Sequence, residues 1–557
     1  MKKNSVTKNI LALFLMCAFI FPSFAAAQTA TKANSSAMKA AATITAAQLK
    51  DYLYFVASDE MEGRDTPSRG LDLTAKFIGT MLSRWNFKPA GDDGTFYQKI
   101  ALVRESPDAE NSSLTVGGQK FNYGEDYYRV TGNSASAIAA PIVYGGNGWF
   151  FKAKGVDALQ NVDVKGKTVV LYSDGASTRF FPVPLPKGIT QADFAGKRGE
   201  DWIDPITYAK EKGAVGVIIV ASNDAQKNWE RLSKVPTNPR PFVEKFRAET
   251  PLPTIFVSQK VGDAMFADAK APYRITTEMP QSSTAAFALD TSKNVVFRPA
   301  VKQEKVYTQN VVALWEGSDP QLKSEMVAIG AHYDHVGVNP NAPGDDKIWN
   351  GADDDGSGTV SVLAIAEALA KSPVRPKRSI LLVWHAGEEK GLWGSEYFNK
   401  FPTVDIKNVV AQLNIDMIGR SRKSNDTNPK NTNLSGENEV YVIGSQMMSS
   451  KLGDITKSVN NSYLNLNYDY KYDDPKDTNR FFFRSDHFHY ALNGIPIVFW
   501  FDGVHEDYHQ PGDEPQKIDY DKMQKIARTI FLTMWEIAEL PTRPAIDKQL
   551  PPELTQR

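Results

Sequence analysis

Apolar positions recur at helical spacing early in the chain, in "TAAQLKDYLYFVASDEM" and again in "LDLTAKFIGTMLSRWNF". From about residue 130 the texture changes to short β-rich runs, "AAPIVYGG", "GKTVVLYSDG", "AVGVIIVAS" and "LPTIFVSQ". Pro- and charge-rich loops such as "FFPVPLPKG" and "KVPTNPRPFVEKFRAE" divide them. From about residue 305, apolar runs of strand length ("NVVALWEG", "EMVAIGAHYD", "SILLVWHA", "NVVAQLNID", "IPIVFWF") alternate with helical stretches such as "TVSVLAIAEALAKS" and "YDKMQKIARTIFLTMWEIAEL". Continuous apolar strands separated by helices predict an α/β fold, a mostly parallel mixed sheet covered by helices on both faces. In such sheets ligands bind beyond the carboxyl ends of the strands. There is no internal repeat, and residues 544–557, "PAIDKQLPPELTQR", read as a loosely held tail.

Length changes the picture next, because 557 residues exceed one ordinary core and imply two or three domains. Hydrophobic content of 42% and charged content of 23% fit a globular chain. With 64 basic and 65 acidic residues the formal charge is -1, which gives no electrostatic footprint for nucleic acid or an anionic membrane. The N-terminus reads as an address. Lys2, Lys3 and Lys8 precede the apolar run "ILALFLMCAFIF", and "PSFAAAQ" offers small residues for cleavage near Ala27. A signal peptide over 1–27 makes the protein exported, secreted or periplasmic, with no membrane span after cleavage. Losing three lysines takes the charge from -1 to about -4. The single cysteine, Cys17, leaves with the signal, so disulfides and thiolate metal sites are excluded from the mature chain. Residues 28–43, "QTATKANSSAMKAAAT", are small and polar and read as a flexible linker.

The chemistry sits in the last part of the chain. All seven histidines (332, 335, 385, 487, 489, 505 and 509) lie between 332 and 509. They accompany carboxylates at strand ends. In "AIGAHYDHVG", His332 and Asp334 share a face if the chain stays extended, so the acid can orient the imidazole. "WNGADDDGSGTV" places three aspartates before a helix; a cap needs one, and three repel one another unless a cation is present. Asp416 ends the strand "QLNID", and "GVHEDYHQPGDEP" supplies His505 and His509. The adjacent Glu388 and Glu389 follow "SILLVWHA", and each is costly to desolvate without a partner. Oxygen and imidazole donors without thiolate suit zinc, with manganese or cobalt as substitutes.

Taken in order, "AHYDH", "NGADDDGSG", "GEEKGLWGS", "NIDMIGR" and "DYHQPGDE" resemble the M28 family of co-catalytic zinc aminopeptidases over about 300–543. "LYFVASDEMEGRDTPSRGLDLTAKFI" resembles the N-terminal portion of the same catalytic domain. The β-rich stretch resembles a protease-associated (PA) domain. The resemblance implies a catalytic domain in two pieces, 44–129 and 296–543, interrupted by a PA-like domain at 130–295. It implies two Zn2+ per chain. His332 and Asp416 would hold one ion, Glu389 and His509 the other, and Asp354 would bridge both. Glu388 would be the general base and Asp334 the acid that orients His332. His385 and Gly387, just before the glutamates, depart from the family pattern.

The implied activity is removal of N-terminal residues from peptides. A carboxypeptidase or dipeptidase of the same family is the alternative; it needs cations for a substrate carboxylate, for which Arg420, Arg422, Arg480 and Arg484 are candidates. A non-catalytic binding ectodomain predicts lost ligands, whereas all five and the base are present. The full two-metal set disfavours a mononuclear glutaminyl cyclase, and no G-x-S-x-G elbow supports a serine hydrolase. "RSDHFHY" and "FWFDG" are expected to shape the substrate pocket.

Overall fold

The structure is a computed structural model. It describes residues 35–128, 137–174, 181–234, 239–247, 252–267, 287–288 and 294–555. The expected signal peptide, 1–27, lies outside the described residues. No helix among the described residues is long and apolar enough to cross a membrane.

In chain order the elements that position the site are helices α1 (Ser35–Ala41), α2 (Ala46–Val56) and α3 (Arg69–Arg84), then strands β1 (Tyr97–Pro107), β2 (Val301–Trp315) and β3 (Met326–His332). After them come α4 (Gly358–Lys371), β4 (Ser379–His385), β5 (Val409–Ile415), β6 (Glu439–Ile443), β7 (Asn467–Asp469), β8 (Ile497–Phe501) and α5 (Tyr520–Glu539). The large sheet runs β1, β2, β4, β3, β5, β8, β6, β7, with Phe242–Val243 on the outside of β1. Its centre, β4–β3–β5–β8, is parallel. Antiparallel ladders extend it through β2 and β1 on one side and β6 on the other.

The two-residue strand period divides the core between the faces. Val311, Ala313, Val327 and Ile329 pack with residues of α2, α3, α4 and α5. Val312, Ala328, Leu381 and Val383 point the other way, toward Phe398, Phe488 and Tyr490. Both faces being covered, the central strands are apolar throughout, and all seven residues of β3, β4 and β5 are buried.

Two segments differ from the sequence reading. Part of the expected linker 28–43 is helix α1, whose Ala37, Ala40 and Ala41 are buried against α4 and α5. Methyl-sized side chains carry little hydrophobic signal yet let a helix approach closely. The expected loose tail is also partly anchored: Leu554 is 1% exposed within the second apolar cluster.

The β-rich insert hangs from one ladder. β1 and β2 pair from Tyr97↔Val311 to Pro107↔Val301, and the chain between Pro107 and Val301 builds separate sheets. One has six strands, around Thr168–Leu171 and Gly216–Val220; another has four, around Ser113–Val116 and Val295–Arg298. Residues 113–128, which the sequence placed in the catalytic portion, therefore pair with the insert: Val116 lies opposite Val295, and Tyr127 opposite Val257. In return Phe242–Val243 of the insert joins the large sheet at Leu102–Val103.

Candidate metal centre

β3, β4 and β5 run side by side and end together, so His332, the loop after His385 and Asp416 meet above the carboxyl edge of the sheet. Beyond β3 the chain leaves the sheet through Tyr333, Asp334 and His335. Arg64, 0% exposed, holds this turn against the loop that precedes α4. Its guanidinium donates to the carbonyls of Tyr333 at 3.0 Å, Val56 at 2.8 Å, Asn350 at 2.7 Å and Gly351 at 2.8 Å. Gly351 has φ +56°, and a Cβ there would lie 2.4 Å from the ring of His335. Only glycine fits that approach.

The three aspartates divide into separate tasks. Asp353 Oδ1 accepts the N–H of Gly419 at 2.7 Å. Asp355 Oδ1 accepts the N–H groups of Gly358 at 2.9 Å and Met417 at 3.1 Å, tying the start of α4 to the chain after β5. Asp513 in turn accepts the N–H groups of Asp353 and Asp354, each at 3.1 Å. Asp354 is left to present its carboxylate, with Oδ1 3.3 Å from His332 Nε2 and Oδ2 3.1 Å from His509 Nε2. Asp416 Oδ1 lies 3.6 Å from His332 Nε2, and Glu389 Oε2 lies 3.1 Å from His509 Nε2. The pairs named from sequence, His332 with Asp416 and Glu389 with His509, are thus brought together with Asp354 between them. Donor atoms around a tetrahedral ion at about 2.0–2.2 Å are separated by about 3.3–3.6 Å, so these spacings fit zinc.

Two further acids complete the chemistry. Glu388 Oε2 is 4.0 Å from His332 Nε2, and its side chain keeps 13% exposure toward the pocket. Asp334, 0% exposed, has Oδ1 3.7 Å from His332 Nδ1 and accepts the backbone N–H of Glu388 at 3.1 Å.

The charges perturb one another strongly. Burial alone would raise the pKa of the Asp354 carboxyl, but the imidazoles of His332 and His509 hold it well below the usual range. Burial, with Glu389 and Asp416 adding repulsion, pushes Glu388 well above its ordinary value. Burial works against protonation of His509, yet Asp354 and Glu389 raise its pKa to about 10. A cation of either kind, proton or metal, is what this cluster draws in.

Sequence reasoning missed His335 and Arg64. His335 Nδ1 is 3.0 Å from Glu389 Oε1 and 3.7 Å from Asp354 Oδ2. His335, Asp354, Glu389 and His509 form one group able to hold a metal; His332, Asp355 and Asp416 form a second. Asp355 has no oxygen within 4.0 Å of His332, unlike Asp354 and Asp416. The other histidines serve packing and networks. His487 stacks on Phe499 with ring centres 4.6 Å apart, and His385 Nε2 meets the Tyr490 hydroxyl at 3.1 Å. His505 Nε2 lies 3.2 Å from Asp353.

The pocket over the site is walled by Met417, Phe481, Phe499, Phe501, Val504 and Tyr508, with Arg484 at its edge. Among the arginines weighed as carboxylate clamps, Arg420 is 7% exposed and committed to Asp507 at 3.0 Å, and Arg422 donates to the Thr432 carbonyl at 3.1 Å. Arg484 alone of the four lines the pocket. It donates to the Tyr508 hydroxyl at 3.1 Å and lies over the Phe481 ring, 4.9 Å from its centre.

Comparison with known proteins gives the same two regions. Residues 310–534 match the profile of peptidase family M28, and residues 138–265 match that of the PA domain. A "Probable leucine aminopeptidase" of Trichophyton verrucosum is 28% identical over 230 residues, 39% of this chain and 56% of that protein. A "Probable zinc metalloprotease" of Phaeosphaeria nodorum is 27% identical over 268 residues, 42% of this chain and 53% of that protein. The chain thus spans little more than half the length of these relatives. Among solved structures, the aminopeptidase from Aneurinibacillus sp. strain AM-1 aligns over 92% of this chain and 98% of its own, at 16% identity and a TM-score of 0.47.

Proposed function

We propose, from the match of residues 310–534 to peptidase family M28 and of residues 138–265 to the PA domain, that the protein is an exported zinc aminopeptidase with a dinuclear site. The observation that carries this reading is the placement of Asp354, one oxygen toward His332 and the other toward His509. A carboxylate shared in this way suits two cations. Magnitude supports the same conclusion: two like charges 4 Å apart repel by about 4 kcal/mol at an effective dielectric constant of 20. Asp354, Glu389 and Asp416 lie together with Glu388, so cationic partners, metal ions or protonated imidazoles, are needed to hold them ionised. His332 and Asp416 would hold one zinc, Glu389 and His509 the other, and Asp354 both.

Zinc, when bound, polarises the scissile carbonyl and acidifies the attacking water. The chain's own residues do the rest. Glu388 takes the water's proton and returns it to the leaving amine, and the burial that, with neighbouring carboxylates, raises its basicity suits it to that work. The Asp334 carbonyl, 3.1 Å from His332 Nδ1, keeps that ring oriented, with the carboxylate 3.7 Å away adding its charge, and the carboxylate fixes the backbone of Glu388. The apolar walls of the pocket, Met417, Phe481 and Phe499 among them, suit an uncharged N-terminal side chain and exclude water from it.

A carboxypeptidase or dipeptidase of the same family is the second reading. Arg484 favours it, because it stands at the pocket with no acid of the described chain in ion-pair contact. Metal analysis combined with hydrolysis of aminoacyl-anilides and N-acetylated peptides tests both. Two ions per chain, about one or none after Asp354→Ala, and no cleavage of blocked peptides are expected. One ion in the fully active protein removes the dinuclear site, and release of C-terminal residues from blocked peptides hands the assignment to the carboxypeptidase.

A further inference from the structure

His335 has no role in the assignment above, yet it is the most deeply placed imidazole of the centre. It is 0% exposed, and neither ring nitrogen has a hydrogen-bond partner. A buried polar atom left unpaired is destabilising, so such an arrangement calls for an explanation. Its Nδ1 is 3.0 Å from Glu389 Oε1, within hydrogen-bond distance, but neither atom makes a hydrogen bond. His509 Nε2 behaves alike: it stands 3.1 Å from both Asp354 Oδ2 and Glu389 Oε2, also without a hydrogen bond. The atoms are close but do not aim at one another. An ion between such atoms would give each of them a partner. With Asp354, four residues each offer one ligand atom here, all within 4.8 Å of one another.

The other half of the centre is poorer. Among the carboxylates of the described residues, only Asp354 Oδ1 and Asp416 Oδ1 lie within 3.6 Å of His332 Nε2. Asp355 is more distant, and its Oδ1 is already engaged by two backbone N–H groups.

We propose that His335 is a fourth protein donor beside Asp354, Glu389 and His509, which makes the two ion positions of this chain unequal. This rests on the dinuclear zinc reading and refines it. The position with four protein donors is closed and holds its ion tightly, as structural zinc sites do. The His332 position, with three donors, keeps room for water or substrate and releases its ion more readily. Glu388 stands on that second side, beside His332, where a general base is of use.

The test is a zinc titration of the full-length chain after chelator stripping, with bound metal counted at buffered free zinc. Two affinity classes are expected, separated by about 10- to 100-fold. His335→Asn is expected to weaken the tighter class by about 10- to 100-fold, the range typical of altered metal surroundings, and to leave the weaker class in place. Zinc-edge X-ray absorption of the wild-type chain loaded with one equivalent reads the same feature without relying on a variant. Two imidazoles around the ion are expected; one imidazole overturns the inference. Equal affinity at both positions, or a variant that titrates like wild type, overturns it as well while the dinuclear reading stands. A wild-type chain that retains no zinc overturns the metal centre itself and this inference with it.

Discussion

The backbone N–H of Glu388 donates to the carboxylate of Asp334 at 3.1 Å. The same oxygen lies 3.7 Å from His332 Nδ1, which meets the Asp334 carbonyl at 3.1 Å, so one residue bears on both a candidate metal ligand and the candidate base, with its carboxylate charge acting on each. Asp334→Ala should therefore reduce metal retention and turnover together. A loss of about 10- to 100-fold in each is expected, from zinc content and kcat measured on the same sample. Wild-type values for both would show that His332 needs no such support.

The adjacent glutamates should separate cleanly. Glu388→Gln is expected to keep both ions and its substrate affinity while kcat falls roughly 100- to 10,000-fold, the usual scale for a lost general base. Glu389→Ala should instead lose an ion and, with it, thermal stability, because bound metal stabilises only the folded state. Metal loss in the Glu388 variant would reverse the assignment of the pair.

Arg64 donates to four carbonyls and is wholly buried. Replacing it with methionine keeps much of the volume but strands those acceptors, each at about 1–3 kcal/mol. Chemical denaturation of Arg64→Met should show a loss of at least about 3 kcal/mol and weaker zinc retention. A variant within about 1 kcal/mol of wild type would mean that water replaces the guanidinium at this site.

Asp473 offers a pH test away from the candidate metal centre. Burial raises its pKa to about 6, against the hydrogen bond it accepts from the Gly444 N–H at 2.6 Å. The folded chain keeps this proton to higher pH than the unfolded chain, whose aspartate titrates near about 3.9. The contribution is complete below about pH 3.9 and is lost as pH rises through about 6. Unfolding free energy of Asp473→Asn should consequently fall less than that of wild type between about pH 4 and 6, by roughly 1–3 kcal/mol. Parallel curves would place Asp473 in water.

Much of the site is legible in the sequence because its residues end apolar runs. The runs fix β3, β4 and β5, and parallel strands bring their carboxyl ends, hence His332, the two glutamates and Asp416, to one edge. His335 is not legible in the same way. It follows His332 by three residues, a spacing with no meaning in a strand, and reaches Glu389 only because the chain turns at the close approach of Gly351. Arg64 lies some 270 positions before Tyr333, whose carbonyl it holds, so no local pattern announces it. The helix α1 escaped for a different reason: alanines and serines look alike in linkers and in tightly packed helices.

The ladder of β1 and β2 also sets the order in which the protein can assemble. Lys99 pairs with Gln309 and Pro107 with Val301, so each contact closes a loop of about two hundred residues. During synthesis β1 emerges long before its partner, and an apolar strand of a future sheet must wait while the insert is made. Closing a disordered loop of that length is slow, since its entropy must be met before the ladder rewards it. An insert that folds first brings its two ends together in the pairing of Val116 with Val295 and shortens the effective loop to a few residues on each side. Folding of the insert thus becomes a kinetic prerequisite for the large sheet: mutations that unfold it should slow recovery of the candidate metal centre after denaturation far more than they weaken that centre once formed.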